Sequence, residues 1–161
     1  MYASKQARNA EIEQGAGLPP AELRGLSRDS DMALRTDLAA LPAQAWTAEV
    51  VTAQGRTVPA SEVPWMRARE AWIHAVDLGT GVGFGDFPPP LLDRLLTEIT
   101  AQRTAPALVL AATDRDRTWT VDGPAPVRVT GPAAALARWL TGRGDDGVTT
   151  AGPLPDLGRW L

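Results

Sequence analysis

Residue types that can do chemistry are few in this chain. Its 161 residues include one histidine, His74, and no cysteine. Disulfides, thiolate nucleophiles and thiolate metal sites are therefore excluded, and imidazole and carboxylates remain as strong metal ligands. Glu70 precedes His74 by four positions. On a helix this spacing places both side chains on one face, as two ligands of a divalent metal require.

A simpler interpretation of the same spacing stays open. Glutamate and histidine four residues apart also occur on surface helices, where an exposed pair contributes roughly a few tenths of a kcal/mol. A catalytic zinc usually has three protein ligands. Asp77 lies on the same side of the helix. It could in principle be a third ligand, but near a helix end we rather expect it to be solvated or paired with arginine. Arg67 and Arg69 are expected to pair with Glu70, Asp77 or other nearby acidic groups and to orient them.

The element that must position this pair is a helix. Pro59 and Pro64 mark its start and Gly79 its end, so the sequence predicts a helix over 63–77. The tryptophans of this segment lie on a different face from Glu70 and His74. The Glu70/His74 pair is therefore not part of the apolar stripe.

The segments before that helix predict further helices and one irregular region. Helices are expected over 5–14, after the capping residue Ser4, and over 21–41, where leucines recur at helical spacing. Between 46 and 58, β-branched residues around Gln54-Gly55 indicate a hairpin or an irregular crossover.

The chain beyond residue 80 has a different pattern. A segment rich in glycine and proline follows the helix, and we place a domain boundary there. Beyond it we expect a helix over 91–103, a helix after Gly131-Pro132, and antiparallel strands over 107–112, 118–121 and 127–130. The end of the chain is expected to pack Trp160 and Leu161 onto this unit. The fold class is therefore α+β, with a helical first half followed by a small antiparallel sheet packed with helices.

Composition excludes several partners. The net charge is −3, so there is no basic footprint for nucleic acid. Apolar runs of about 18 residues, as a membrane-spanning helix needs, do not occur, and the first residues lack a secretory pattern. We therefore expect a cytoplasmic protein that binds neither nucleic acid nor a membrane.

Three segments carry a resemblance to a known family. They are PWMRAREAWIHAVDLGTGVGF at 64–84, the opening MYASKQARNAEIEQGAGLPPAEL, and VRVTGPAAALARWLTGR at 127–143. All three resemble mycothiol-dependent maleylpyruvate isomerases. In that family a DinB-like four-helix bundle binds zinc through two histidines and one glutamate, and a second domain is similar to sterol carrier proteins. The resemblance implies that Glu70 and His74 are two of the metal ligands, and that the domains are 1–80 and 88–161.

The resemblance also implies a missing part. Family members carry two helices before the region that matches Met1, and the second of them bears the first zinc-ligating histidine. The chain is thus expected to hold a partial bundle, either as a fragment or as a decayed gene copy, with impaired activity. Uncovered apolar faces of such a bundle would favour self-association.

The implied reaction is the cis–trans isomerisation of maleylpyruvate, a small dicarboxylate, to fumarylpyruvate. Zinc would lower the pKa of the mycothiol thiol, and addition and elimination of that thiol would allow the double bond to rotate. Arg8 and Arg143 lie in matching segments and are the candidates for holding the substrate carboxylates. A thiol-dependent transferase is a related possibility. The alternative is a non-catalytic small-molecule-binding or interaction protein, a remnant of a thiol-dependent metalloenzyme.

Overall fold

The computed structural model describes residues 4–52, 55–158 and 160. The chain divides into two compact units, Met1–Glu62 and Val63–Leu161. The predicted domains, 1–80 and 88–161, stay a prediction. They were inferred from sequence resemblance, whereas the two units are defined by which residues pack together. Both candidate metal ligands and Arg143 lie in the second unit, whereas Arg8 lies in the first.

The first unit is built from two helices and a hairpin. The helices are α1 (Lys5–Ala16) and α2 (Pro20–Ala40). The hairpin pairs β1 (Glu49–Val51) with β2 (Thr57–Pro59) in antiparallel register. The hairpin interpretation is therefore confirmed, although Gln54 of the predicted turn lies outside the described residues. Short 3₁₀ turns flank the hairpin at Ala43–Thr47 and Ala60–Glu62.

The second unit packs three helices with a sheet. The helices are α3 (Val63–Asp77), α4 (Pro89–Gln102) and α5 (Ala133–Leu140). The bounds of α3 are those predicted from its proline and glycine signals. The four strands are β3 (Leu108–Ala112), β4 (Thr118–Val121), β5 (Val127–Gly131) and the two-residue β6 (Thr149–Thr150). These elements confirm the α+β class.

The sheet of the second unit is mixed, which corrects the prediction of an antiparallel sheet. Its strand order is β4-β3-β5-β6, and β3 pairs antiparallel with β4 but parallel with β5. After β4 the chain crosses the end of β3 instead of returning beside β4. Gly123 permits this crossing, because a Cβ there would lie 2.9 Å from the Ala107 Cβ and the backbone has a φ of +152°.

The core of the second unit fixes α3 in place. Three of the four leucines of α4, both leucines of α5 and inward residues of the sheet are buried, and Ile73 is the buried residue of α3. Trp72 of α3 packs on Phe87, with ring centroids 5.1 Å apart. Trp160 packs against this core as predicted, whereas Leu161 lies outside the described residues. The packed face of α3 leaves its Glu70 and His74 face open to solvent.

Within the described ranges, none of the helices combines the length and the apolar character needed to cross a bilayer.

Candidate functional site

Glu70 and His74 meet on the open face of α3. The His74 Nε2 lies 3.3 Å from the Glu70 Oε2, and the side chains are 64% and 45% exposed. The helix places them together because four residues make about one turn. The two predicted ligands are therefore adjacent, and solvent can reach both.

The second nitrogen of His74 is held by Asp77. The two groups are 3.0 Å apart, from His74 Nδ1 to Asp77 Oδ2. An ionised carboxylate only accepts hydrogen bonds, so Nδ1 carries the proton. In a neutral imidazole the Nε2 lone pair then faces the Glu70 oxygen. A metal ion placed between them would be bound by both of these acceptors.

Arg143 holds Asp77 from the other side. Its Nε donates to Asp77 Oδ1 at 2.7 Å and its Nη2 to Oδ2 at 2.8 Å, while Nη1 donates to the Thr141 carbonyl at 2.9 Å. The bonds from Arg143 lower the pKa of Asp77 to about 2, with a smaller contribution from His74. Three of the five guanidinium N–H groups thus bond described residues, and two remain for a ligand.

Arg69 contacts the second oxygen of Glu70. The Arg69 Nη2 donates to Glu70 Oε1 at 3.0 Å, as the expected Arg69–Glu70 pairing requires. Arg69 also donates to Glu98 on α4. Arg67, for which a similar pairing was expected, is exposed and forms no ion pair among the described residues.

Sequence reasoning missed Glu98. Its pairing with Arg69 joins residues 29 positions apart. The leucine pattern of α4 predicts a helix but says nothing about which element faces its polar side. No sequence signal pointed to this carboxylate.

The arrangement fits two positions of a zinc site. Donors on a tetrahedral zinc, each about 2.0–2.2 Å from the metal, lie about 3.3–3.6 Å apart. This matches the separation of His74 Nε2 and Glu70 Oε2. Asp77 binds the opposite edge of the imidazole, and both its oxygens bond Arg143, so it orients the ring instead of completing the site. Within the described ranges, no group of three or more histidine and acidic side chains is arranged to hold a metal.

Arg8 belongs to a different part of the molecule. It lies near the start of α1 in the first unit and is exposed. The role predicted for it in binding the substrate stays a prediction.

The fold and the histidine-carboxylate pair define a two-part α+β protein of a known class. Residues 1–79 match the mycothiol maleylpyruvate isomerase N-terminal domain, and residues 86–159 match the C-terminal domain of the same family. The chain therefore belongs to the mycothiol-dependent maleylpyruvate isomerase family, and the resemblance seen in the sequence is confirmed.

A solved structure gives the more particular likeness. The crystal structure of the mycothiol-dependent maleylpyruvate isomerase is 44% identical to this chain, with a TM-score of 0.88. The match covers 99% of this chain and 69% of that one. A variant of that protein with one histidine replaced by alanine matches equally well, at 44% identity and a TM-score of 0.88. A comparison with curated proteins finds no match.

Proposed function

We propose that this chain isomerises maleylpyruvate with mycothiol as the thiol cofactor, at a divalent metal held by Glu70 and His74. The main support for a metal here is that His74 Nε2 lies 3.3 Å from Glu70 Oε2 while His74 Nδ1 is bonded to Asp77. Zinc suits this mixed nitrogen and oxygen donor set. A bound zinc ion would stabilise the thiolate form of a thiol at neutral pH.

The residues around the ligands have separate tasks. Asp77 keeps the proton on Nδ1 of His74 and so leaves Nε2 free to bind the metal. Arg143 fixes Asp77 and has two N–H groups left for a substrate carboxylate. An arginine at this position would also stabilise negative charge that develops on the ketone-bearing substrate. Arg8 is proposed for the second carboxylate on the strength of its matching segment alone.

The partners of the chain follow from this proposal. The substrate is a small dicarboxylate, and neither nucleic acid nor a membrane has a part in the reaction. A cytoplasmic location belongs to the same proposal, because mycothiol and the substrate are small metabolites.

One observation favours the alternative of a non-catalytic binding or interaction protein. The described residues supply two donors for the metal, and His74 is 64% exposed. A catalytic zinc with three protein ligands would need one more donor. The two functions differ in metal content and in turnover.

The test compares Glu70→Gln with a matched control, Glu22→Gln, an exposed residue of α2. After zinc loading and dialysis, we expect near-stoichiometric metal in the wild-type chain and in the control, and loss of metal in Glu70→Gln. Isomerisation of maleylpyruvate with added mycothiol should follow the metal content. Wild-type chain that retains no zinc and gives no turnover would overturn the proposal and support the alternative.

A further inference from the structure

Arg69 connects the exposed Glu70 to the partly buried carboxylate of Glu98. The Arg69 side chain is 12% exposed, and that of Glu98 is 17% exposed. One arm of the guanidinium bonds Glu98 and the other bonds Glu70. Arg69 is thus the inner member of a chain of charges that begins on α4 and ends at the proposed metal ligand.

Glu98 is itself fixed from two further sides. The Trp65 Nε1 donates to Glu98 Oε2 at 2.6 Å, and the Gln102 Nε2 donates to Oε1 at 3.1 Å. A carboxylate that accepts three hydrogen bonds has little freedom to rotate. Glu98 therefore gives Arg69 a fixed and partly desolvated partner, which makes the charge pair sensitive to the loss of either member.

The bond from Arg69 determines which way the Glu70 carboxylate points. A free glutamate side chain on a helix surface samples many rotamers, and ordering it costs free energy. The bond from Arg69 holds Oε1, so Oε2 is the oxygen that points at His74. A ligand prepared in this way binds a metal more tightly than one that must first be ordered.

We propose that Arg69 and Glu98 are positioning residues of the metal site, which orient Glu70 through the Glu98–Arg69–Glu70 chain of bonds. This inference rests on the proposed function, since it concerns the same ligand. It gives α4, through Glu98, a part in positioning the metal ligand. Neither the spacing of Glu70 and His74 nor the pairing of Asp77 with Arg143 indicates such a part.

The test is the zinc affinity of Arg69→Lys, measured by competition with a chromophoric chelator. Lysine keeps the charge but cannot bond two carboxylates in the forked geometry of arginine. We expect zinc binding to weaken by about 10- to 100-fold, the usual effect of losing a group that orients a metal ligand. Glu98→Gln should weaken it in the same direction, and it keeps the size of the side chain if Arg69→Lys does not fold.

Arg115→Lys is the matched control. Arg115 is also a partly buried arginine that bonds two carboxylates, Asp93 and Asp114, and it lies outside the proposed metal site. Its substitution should lower the thermal midpoint of unfolding but leave zinc affinity unchanged. Equal zinc affinity in wild type, Arg69→Lys and Glu98→Gln would overturn the inference, as would an equal loss in Arg115→Lys. Absence of zinc binding in the wild type would overturn the proposed function and this role with it.

Discussion

The imidazole of His74 has a different neighbour at each nitrogen. Asp77 bonds Nδ1, and Glu70 faces Nε2. Glutamate and histidine four residues apart were enough to predict this meeting, because helical geometry alone brings them together. The pairing of Asp77 with Arg143 joins residues 66 positions apart, and periodicity carries no information about such a contact.

The stability of the folded chain depends on pH through Asp77. Its pKa falls from the ordinary 3.8 to about 2 in the folded chain, chiefly through the bonds from Arg143. The unfolded chain therefore binds more protons than the folded one between these values. The stabilisation by Asp77 is complete above about pH 4 and is lost as the pH falls towards 2. Its size is modest, because the side chain is 37% exposed.

The measurement is the free energy of unfolding in denaturant, at several pH values from 7 down to 2, for wild type and Asp77→Asn. We expect the difference between the two proteins to be constant near neutral pH and to shrink below pH 4. Asp122→Asn, a change at an exposed carboxylate, should follow the wild type throughout. A difference that does not change with pH would contradict the role given to Asp77.

At the scale of elements, the helices were more predictable than the sheet. Proline and glycine mark helix ends locally, so the bounds of α3 could be predicted to the residue. The direction in which β5 pairs with β3 depends on how the loop after β4 crosses the sheet. The strand β6 has two residues, too few to show a period. The sequence pattern could therefore not predict the mixed sheet.

The first turn of α5 depends on a residue from another element. Pro132 precedes the helix and offers no capping side chain, and the Ala133 N–H donates instead to Asp114 Oδ1 at 3.0 Å. The bond from Arg115 and this N–H lower the pKa of Asp114, with that from Arg115 the larger cause. The loop between β3 and β4 thus provides the helix cap.

We expect Asp114→Ala to destabilise the chain by about 1 kcal/mol, the typical value of a lost helix cap. Denaturant unfolding at neutral pH measures this effect. Asp116→Ala in the same exposed loop is the control and should change stability by less than about 0.5 kcal/mol. Equal stability of both variants would show that Asp114 does not cap α5.

At the scale of the whole molecule, burial is unevenly distributed. Among the described residues, the buried side chains belong to the second unit, and neither α1 nor α2 contains a buried residue. The leucine face of α2 consists of Leu23, Leu26, Leu34 and Leu38, which share one side at helical spacing. Leu26 on this face is 53% exposed. The sequence predicted self-association through the uncovered apolar face of the helical bundle, and we propose that the leucine face of α2 is this surface.

The leucine face makes this proposal testable. Leu26→Gln should weaken dimerisation by about tenfold or more, since burying one leucine contributes about 1.5–3 kcal/mol. Sedimentation equilibrium at several concentrations measures the dissociation constant. Met32→Gln is the control, because Met32 is 66% exposed and lies on the opposite side of α2. A wild-type chain that stays monomeric, or equal effects of the two substitutions, would refute a leucine-face dimer.

The pairing of Asp77 with Arg143 determines how late in synthesis the site can reach its final geometry. Glu70 and His74 leave the ribosome well before Glu98 and Arg143, since synthesis runs from the N-terminus. The nascent helix therefore carries both proposed ligands, with Arg69 and Asp77, before the Glu98 and Arg143 that hold these two side chains exist. The site reaches its final geometry only when the turn after α5 has been translated and has folded against α3. If Glu70 and His74 bind a metal as proposed, they would capture it only after the second unit is complete.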